Sequence, residues 1–349
     1  MELQLPSMFG KKKRKMRNYS VIISLLFIVA CSQKITSKKQ TTFSGYTQGT
    51  TYSIVIVDDV VKIHQHEIDQ LLADFDTVLS TYIDSSFISK FNNSTNGIRF
   101  SDKHAFFKNC YLASQSIYKE TNGLFDPTVF PLVEAWGFFK KEARIPSTEQ
   151  IDSILQYTGF DSNQLHTYHF DNDSVYLTKK DPRFKLDFNG IAQGYSVDVV
   201  AEFIEKKGYH NYYVEIGGEI RVSGKNSENK NWTIGIDTPK SKNNHQALTT
   251  ISVSNCGIAT SGNYRNFFEQ NGKKYGHILN PKTGYPVQSD IASATVIAPN
   301  ATLADAYATY FILLGKEKTI QLFDNIKSIQ FILVYSKDNS LQIYHSKRL

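Results

Sequence analysis

Polar and glycine clusters set into otherwise apolar stretches mark where this chain could hold and transform a ligand. Five stand out: Gln48-Gly-Thr-Thr51, Gly123-Leu-Phe-Asp-Pro-Thr128, Leu186-Asp-Phe-Asn-Gly-Ile-Ala-Gln-Gly194, Val214-Glu-Ile-Gly-Gly-Glu219, and Ala259-Thr-Ser-Gly262 together with His277-Ile-Leu-Asn-Pro-Lys-Thr-Gly284. Gly217 and Gly218 would let backbone approach a ligand closely, or simply turn a hairpin. Asp126-Pro127 and Asn280-Pro281 start turns equally well. His277 carries the side chain best suited to proton transfer near neutral pH, although a lone histidine is more often satisfied or exposed. Asp305 and Thr309 are four residues apart, hence on one face of a helix, and alone Asp305 reads equally as an ordinary helix acid. No GxGxxG follows a strand, and P-loop, HExxH, Cys/His zinc and GxSxG patterns are missing from the sequence, which disfavours the common nucleotide, zinc and hydrolase sites.

These clusters need elements to position them. A β-branched run, Thr51–Val57, predicts a strand, and apolar spacing near 3.6 predicts helices over Lys62–Leu79, Lys103–Thr121 and Ile191–Gly208. Tyr212–Gly217, Ile220–Val222, Trp232–Ile236, Leu248–Val253 and Ala292–Ala298 read as short strands. Ala301–Leu314 reads as a small-residue helix, and Phe331–Tyr335 with Leu341–Tyr344 as a hairpin about Asp338-Asn339. Strands cluster instead of alternating with helices, which predicts an α+β fold with a mainly antiparallel sheet. From Gly45 onward no linker or repeat interrupts the chain, so residues 45–349 are expected to form one domain.

The chain has 349 residues, 41% hydrophobic and 13% aromatic, ample for a core and for a pocket around a planar ligand. Its net charge of +6 suggests a nucleic-acid partner only until the charge is located: residues 1–30 carry +5, leaving +1 on the rest. No nucleic-acid footprint remains. The basic run Lys11–Arg17 precedes twelve apolar residues, Tyr19–Ala30, and then Cys31. Twelve residues span about 18 Å as a helix, short of the ~30 Å bilayer core, so residues 1–30 are expected to be a signal peptide. Ile28-Val29-Ala30-Cys31 resembles a bacterial lipobox. Cys31 would then be acylated, residues 31–44 would form a flexible tether, and the protein would be an exported lipoprotein on the periplasmic side. An exported compartment would permit a disulfide between Cys110 and Cys256, but nothing in the sequence brings them together, and two buried free thiols is the blander reading.

In their order and spacing the clusters resemble the ApbE family, flavin transferases that move FMN from FAD onto a protein threonine. The motifs are Ser80–Asn92 (STYIDSSFISKFN), Phe125–Phe138 (FDPTVFPLVEAWGF), Asp187–Asp198 (DFNGIAQGYSVD), Val214–Asn226, Ala259–Phe268, His277–Val287 and Ala304–Thr309 (ADAYAT). The resemblance implies a single T-fold-like domain. It implies Mg²⁺ held by Asp305, Thr309 and the carbonyl of Gly190, a donor set suited to a hard cation. It implies FAD contacts at Gln48, Tyr82, Leu124, Phe125, Asp126, Asp187, Gln193 and Leu279, and catalytic roles for Asp305 and for His277 as general base. The implied acceptor is an exported protein with a reactive threonine, such as a subunit of a membrane redox complex. Two positions depart from the family pattern, Gln48 for Met and Gln193 for Lys, the second removing a cation beside the phosphates. Hydrolysis of FAD to FMN and AMP, or flavin binding without chemistry, would use the same pocket.

Overall fold

A computed structural model describes residues 37–349 except 140–141, 161–165, 172, 238–246, 263–266, 271 and 339. The expected signal peptide and Cys31 lie outside the described residues. The elements are β1 (Gln40–Thr47), β2 (Thr50–Val57), α1 (Gln65–Leu79), α2 (Phe87–Asn93), β3 (Gly97–Ser101), α3 (Phe106–Glu120), α4 (Phe130–Ala135) and α5 (Thr148–Leu155). They continue with β4 (His166–Asp171), β5 (Ser174–Lys179), α6 (Ala192–Lys206), β6 (Tyr212–Ile216), β7 (Glu219–Ser223), β8 (Trp232–Asp237), β9 (Ala247–Val253) and β10 (Cys256–Gly262). The last are β11 (Phe267–Gln270), β12 (Lys273–Gly276), β13 (Ile291–Ala298), α7 (Ala301–Leu314), α8 (Lys316–Phe323), β14 (Gln330–Lys337) and β15 (Ser340–His345).

An eight-stranded sheet in the order β1-β2-β6-β7-β10-β13-β14-β15 organises the fold, and each neighbouring pair is antiparallel. Side chains alternate between its faces. Ala259, Val296, Phe331 and Leu333 point toward α7, while Ile258, Ile297 and Ile332 point the other way, where the β8–β9 ribbon covers them with Trp232, Ile234 and Ile236. The aliphatic face of α6 packs on β2 and β6 through Val197, Val200, Ala201 and Ile204. A second layer, the β3-β5-β4 sheet with α1, α2 and α3, encloses an aromatic cluster that includes Phe91, Phe107, Tyr111 and Phe184.

The α+β expectation holds, and α7 has the bounds read from sequence. One boundary is corrected. Residues 40–44, expected to belong to the tether, lie in β1, because Phe43 is buried against the α6 side of the sheet and the strand pairs in register with β2 from Gln40↔Val57 to Thr47↔Thr50. Cys110 and Cys256 are free thiols. No helix among the described residues is long and apolar enough to cross a membrane.

His166 makes the fold sensitive to acid. It is 3% exposed, its Nε2 lies 2.7 Å from the Tyr111 hydroxyl, and it stacks on Phe184. Burial pushes its pKa down to about 4. The folded state therefore keeps the ring neutral while the unfolded chain takes up a proton below its ordinary value of about 6.5, so this stability is present above that value and lost as pH falls toward 4. The free-energy gap between wild type and His166→Phe, read from urea unfolding, is expected to change by about 3 kcal/mol between pH 7 and pH 4. A pH-independent gap would refute it.

Candidate functional site

The site is built where α6 crosses α7. Gly194, in the first turn of α6, makes the crossing possible: a Cβ there would sit 2.4 Å from the Ala301 carbonyl oxygen and 2.7 Å from Asp305 Cβ. At that distance the Gly194 N–H, one of the donors a helix start leaves unsatisfied, donates to Asp305 Oδ2 at 3.0 Å. Asp305 is 6% exposed, and this is its one hydrogen bond among the described residues. Burial with so little compensation pushes its carboxyl up to about 7. One turn on, Thr309 Oγ1 lies 2.9 Å from Ser261 Oγ of β10.

The start of α7 is fixed from two sides. Asn300 caps it, accepting from the Leu303 N–H at 2.8 Å. Asp198 of α6 accepts from the Ala301 and Thr302 N–H groups at 3.0 and 2.8 Å, and pairs with Arg221 of β7 at 2.9 Å. A buried acid placed among Val197, Val200 and Ala201 thus serves as a second N-cap from a different helix.

The loop that carries Asp187 and Gly190 is stapled to the Ser80–Asn92 motif. Asn92 reads the Leu186 peptide on both sides, its Nδ2 donating to the carbonyl and its Oδ1 accepting from the N–H, each at 2.8 Å. Asn189 Nδ2 donates to Thr81 Oγ1 at 3.3 Å. Buried Lys179 donates to the carbonyls of Asn92, Ser94 and Pro182, and loss of hydration pulls its pKa down to about 8. Asp187 donates its N–H to the Pro127 carbonyl and accepts from the Asn189 N–H at 2.8 Å. That joins it to the Leu124–Asp126 turn. Desolvation pushes both Asp187 and Asp126 up to about 6. Asp126 Oδ1 already accepts from the Thr128 N–H and hydroxyl, so it also shapes its own turn. The Phe125 ring stands against Gly190, 3.2 Å from where a Cβ would be. Tyr82, 69% exposed, stacks on Phe139 at 5.3 Å and senses the Asp187 carboxylate.

Gln48 and Gly49, both at positive φ, close the β1–β2 hairpin in the manner of a type I′ turn. Gln48 Oε1 faces the Ser196 hydroxyl of α6 at 3.3 Å. Its buried Nε2 has no well-formed hydrogen bond and has the Asp76 carboxylate as an electrostatic neighbour. Gln193 Nε2 donates to the Ile216 carbonyl at 3.0 Å and lies over Gly217, where any side chain would collide with it. His277 is half-buried just after β12. Ile278 packs with Ala304 and Ala308 of α7, while Leu279 is buried with Trp136 and Ile151 of the α4–α5 side.

Two groups result. Gln48, Gln193, Asp305 and Thr309 gather about the α6–α7 crossing, and Tyr82, Leu124, Phe125, Asp126, Asp187 and Gly190 belong to loops tied to one another. The His277–Leu279 segment after β12 bridges the packing of α7 and α4–α5, Ile278 on the first side and Leu279 on the second. Asn92, Lys179, Asp198, Arg221 and Ser261 carry no assignment from sequence, although Asn92 and Asp198 each end a quoted motif. Among the described residues no group of three or more His, Cys, Asp or Glu side chains is gathered to hold a metal ion. The three groups that the resemblance implies for a cation, the Asp305 carboxylate, the Thr309 hydroxyl and the Gly190 carbonyl, are all oxygen donors with one carboxylate among them, a chemistry that would suit Mg²⁺ with water and phosphate oxygens and not Zn²⁺. The open groove beside α4 is lined by Arg144, Arg183 and Lys185, but Arg183 is paired with Asp181 and Lys185 with Glu134.

The model of the ApbE family matches residues 48–333. An FAD:protein FMN transferase of Haemophilus influenzae is 35% identical over 334 residues, covering 93% of this chain and 94% of that protein. One from Escherichia coli K12 is 34% identical over 314 residues, 86% of this chain and 87% of that protein. The solved flavin transferase ApbE from Vibrio cholerae superposes with a TM-score of 0.74 at 32% identity, covering 89% of this chain and 98% of that one. The apo flavinyl transferase ApbE of Pseudomonas stutzeri gives 0.76 at 30% identity, with 89% and 95% covered.

Proposed function

The chain belongs to the ApbE family, and from that premise we propose that it is a Mg²⁺-dependent FAD:protein FMN transferase acting on a threonine of an exported partner. The observation that carries the reading is Asp305: a buried carboxylate with a single hydrogen bond among the described residues, facing a helix start and one turn from a hydroxyl. A buried anion so poorly paired calls for a cation. Asp305, Thr309 and the Gly190 carbonyl would hold Mg²⁺, which when bound neutralises charge on the pyrophosphate oxygens of FAD.

The remaining work falls to the chain. Tyr82, Phe125 and Leu124 offer ring and apolar surface, and Asp126 and Asp187 accept from amino or hydroxyl groups of the dinucleotide. His277 takes the proton of the acceptor threonine as its oxygen bonds to the FMN phosphorus. The bond from that phosphorus to the bridging oxygen breaks, and AMP leaves with the oxygen. Gln193 adds no charge, its amide being committed to Ile216, so the cation has more of the phosphate charge to offset. Before that chemistry, signal cleavage and acylation at Cys31 would anchor the protein on the periplasmic side.

The test incubates the purified protein with FAD, Mg²⁺ and a domain carrying an acceptor threonine. Acid-stable protein-bound flavin with one AMP per flavin is expected. FMN and AMP alone would mean hydrolysis, and unchanged FAD would mean binding without chemistry; either result rejects transfer. His277→Ala is expected to lower turnover by about 10²-fold or more while FAD binding, followed by flavin fluorescence, stays near wild type. Unchanged turnover removes His277 from the role of base.

A further inference from the structure

Strand β10 presents one hydroxyl to α7. Ala259 packs on α7 with Ala304 and Ala308, and Ser261, two residues on, shares that face. Thr260 points the other way and pairs with Thr295 of β13 at 2.9 Å. Ser261 Oγ lies 2.9 Å from Thr309 Oγ1 and is the hydrogen-bond partner of that hydroxyl among the described residues.

A threonine hydroxyl has one proton and two lone pairs. To offer a lone pair to a cation it must send its proton elsewhere, and in a helix the usual recipient is its own backbone, which twists the oxygen away from the outer face. Here the partner is a side chain on another element. We propose that Ser261 is a positioning residue for the cation site: its Oγ accepts the Thr309 proton, aims the Thr309 lone pairs toward the cation, and leaves its own proton to donate to an anionic ligand oxygen. The inference rests on the Mg²⁺ reading of Asp305 and Thr309 and extends it to a partner behind the ligand, the arrangement by which metal sites commonly hold their ligands in register.

The test titrates the purified protein with Mn²⁺ alone, following the EPR signal of the free ion, so that turnover plays no part. Ser261→Ala is expected to weaken Mn²⁺ binding by about 10-fold or more, the usual cost of losing such a partner. Ser261→Thr, which restores the hydroxyl, should recover most of the affinity. Thr260→Val serves as the comparator and should bind as wild type does. The thermal midpoint of metal-free Ser261→Ala should stay close to wild type, which separates loss of aim from loss of fold. If Ser261→Ala binds Mn²⁺ as wild type does while Asp305→Asn does not, the role of Ser261 is refuted and the metal reading stands. If wild type takes up no Mn²⁺, both fall together.

Discussion

Asp305→Asn is expected to lower flavin transfer by at least about 10³-fold and to make the metal-free protein more stable at pH 8. The first effect follows from removing the one carboxylate of the proposed cation site, comparable to or larger than deleting a single preorganised electrostatic group. The second follows from linkage. A carboxyl whose folded pKa is raised to about 7 favours folding fully only below its unfolded value near 3.9, and that advantage is lost as pH rises through 7. At pH 8 the ionised, desolvated Asp305 would destabilise the fold, a cost the amide avoids while its oxygen still accepts from Gly194. Thermal unfolding with EDTA at pH 5 and pH 8, beside an activity assay, reads both. An Asp305→Asn protein that is active, or less stable than wild type at pH 8 without metal, contradicts the account.

Asp198→Ala is expected to be the most damaging single change away from the ligand, at about 3–5 kcal/mol. Its removal leaves Arg221, 21% exposed at the side chain, without its 2.9 Å partner, and strips acceptors from the Ala301 and Thr302 N–H groups. Either loss alone would cost about 1 kcal/mol or more. Together they free the start of α7, which carries Asp305 one turn later, so a higher Mg²⁺ concentration for half-maximal activity should accompany the loss of stability. Urea unfolding of Asp198→Ala, Arg221→Gln and the double variant should give a coupling energy above about 1 kcal/mol. Additive single effects would show that the pair does not act as a unit.

The parts of the site legible in sequence were those written in local pattern. The apolar spacing of α6 gives its buried face, the run of small residues over Ala301–Leu314 gives α7, and the i, i+4 relation puts Asp305 and Thr309 on one side of it; Gly217 and Gly218, which read either as room for a ligand or as a hairpin, form the β6–β7 turn. The partners of those residues were not legible. Asp198 and Arg221 meet only because β7 lies under α6, and Asn92 reaches Leu186 across 94 residues. In the β3-β5-β4 sheet, β4 is mostly exposed and polar and shows no clear alternation, whereas β5 does alternate, with Val175 and Leu177 buried, a short signal that the reading passes over. β1 was missed for a related reason: Phe43 is its one buried residue, and its strand character comes from pairing with β2. β10, rich in small residues, is a strand because β7 and β13 flank it and α7 lies close above it.

The most direct test of the central claim is a crystal of the protein soaked with Mn²⁺ and FAD and measured at the manganese absorption edge. One anomalous peak bounded by the Asp305 carboxylate, the Thr309 hydroxyl and the Gly190 carbonyl, with dinucleotide phosphate oxygens completing it, is the expected result. A fully occupied peak elsewhere, or density showing those three oxygens opening into separate spaces, would contradict the account.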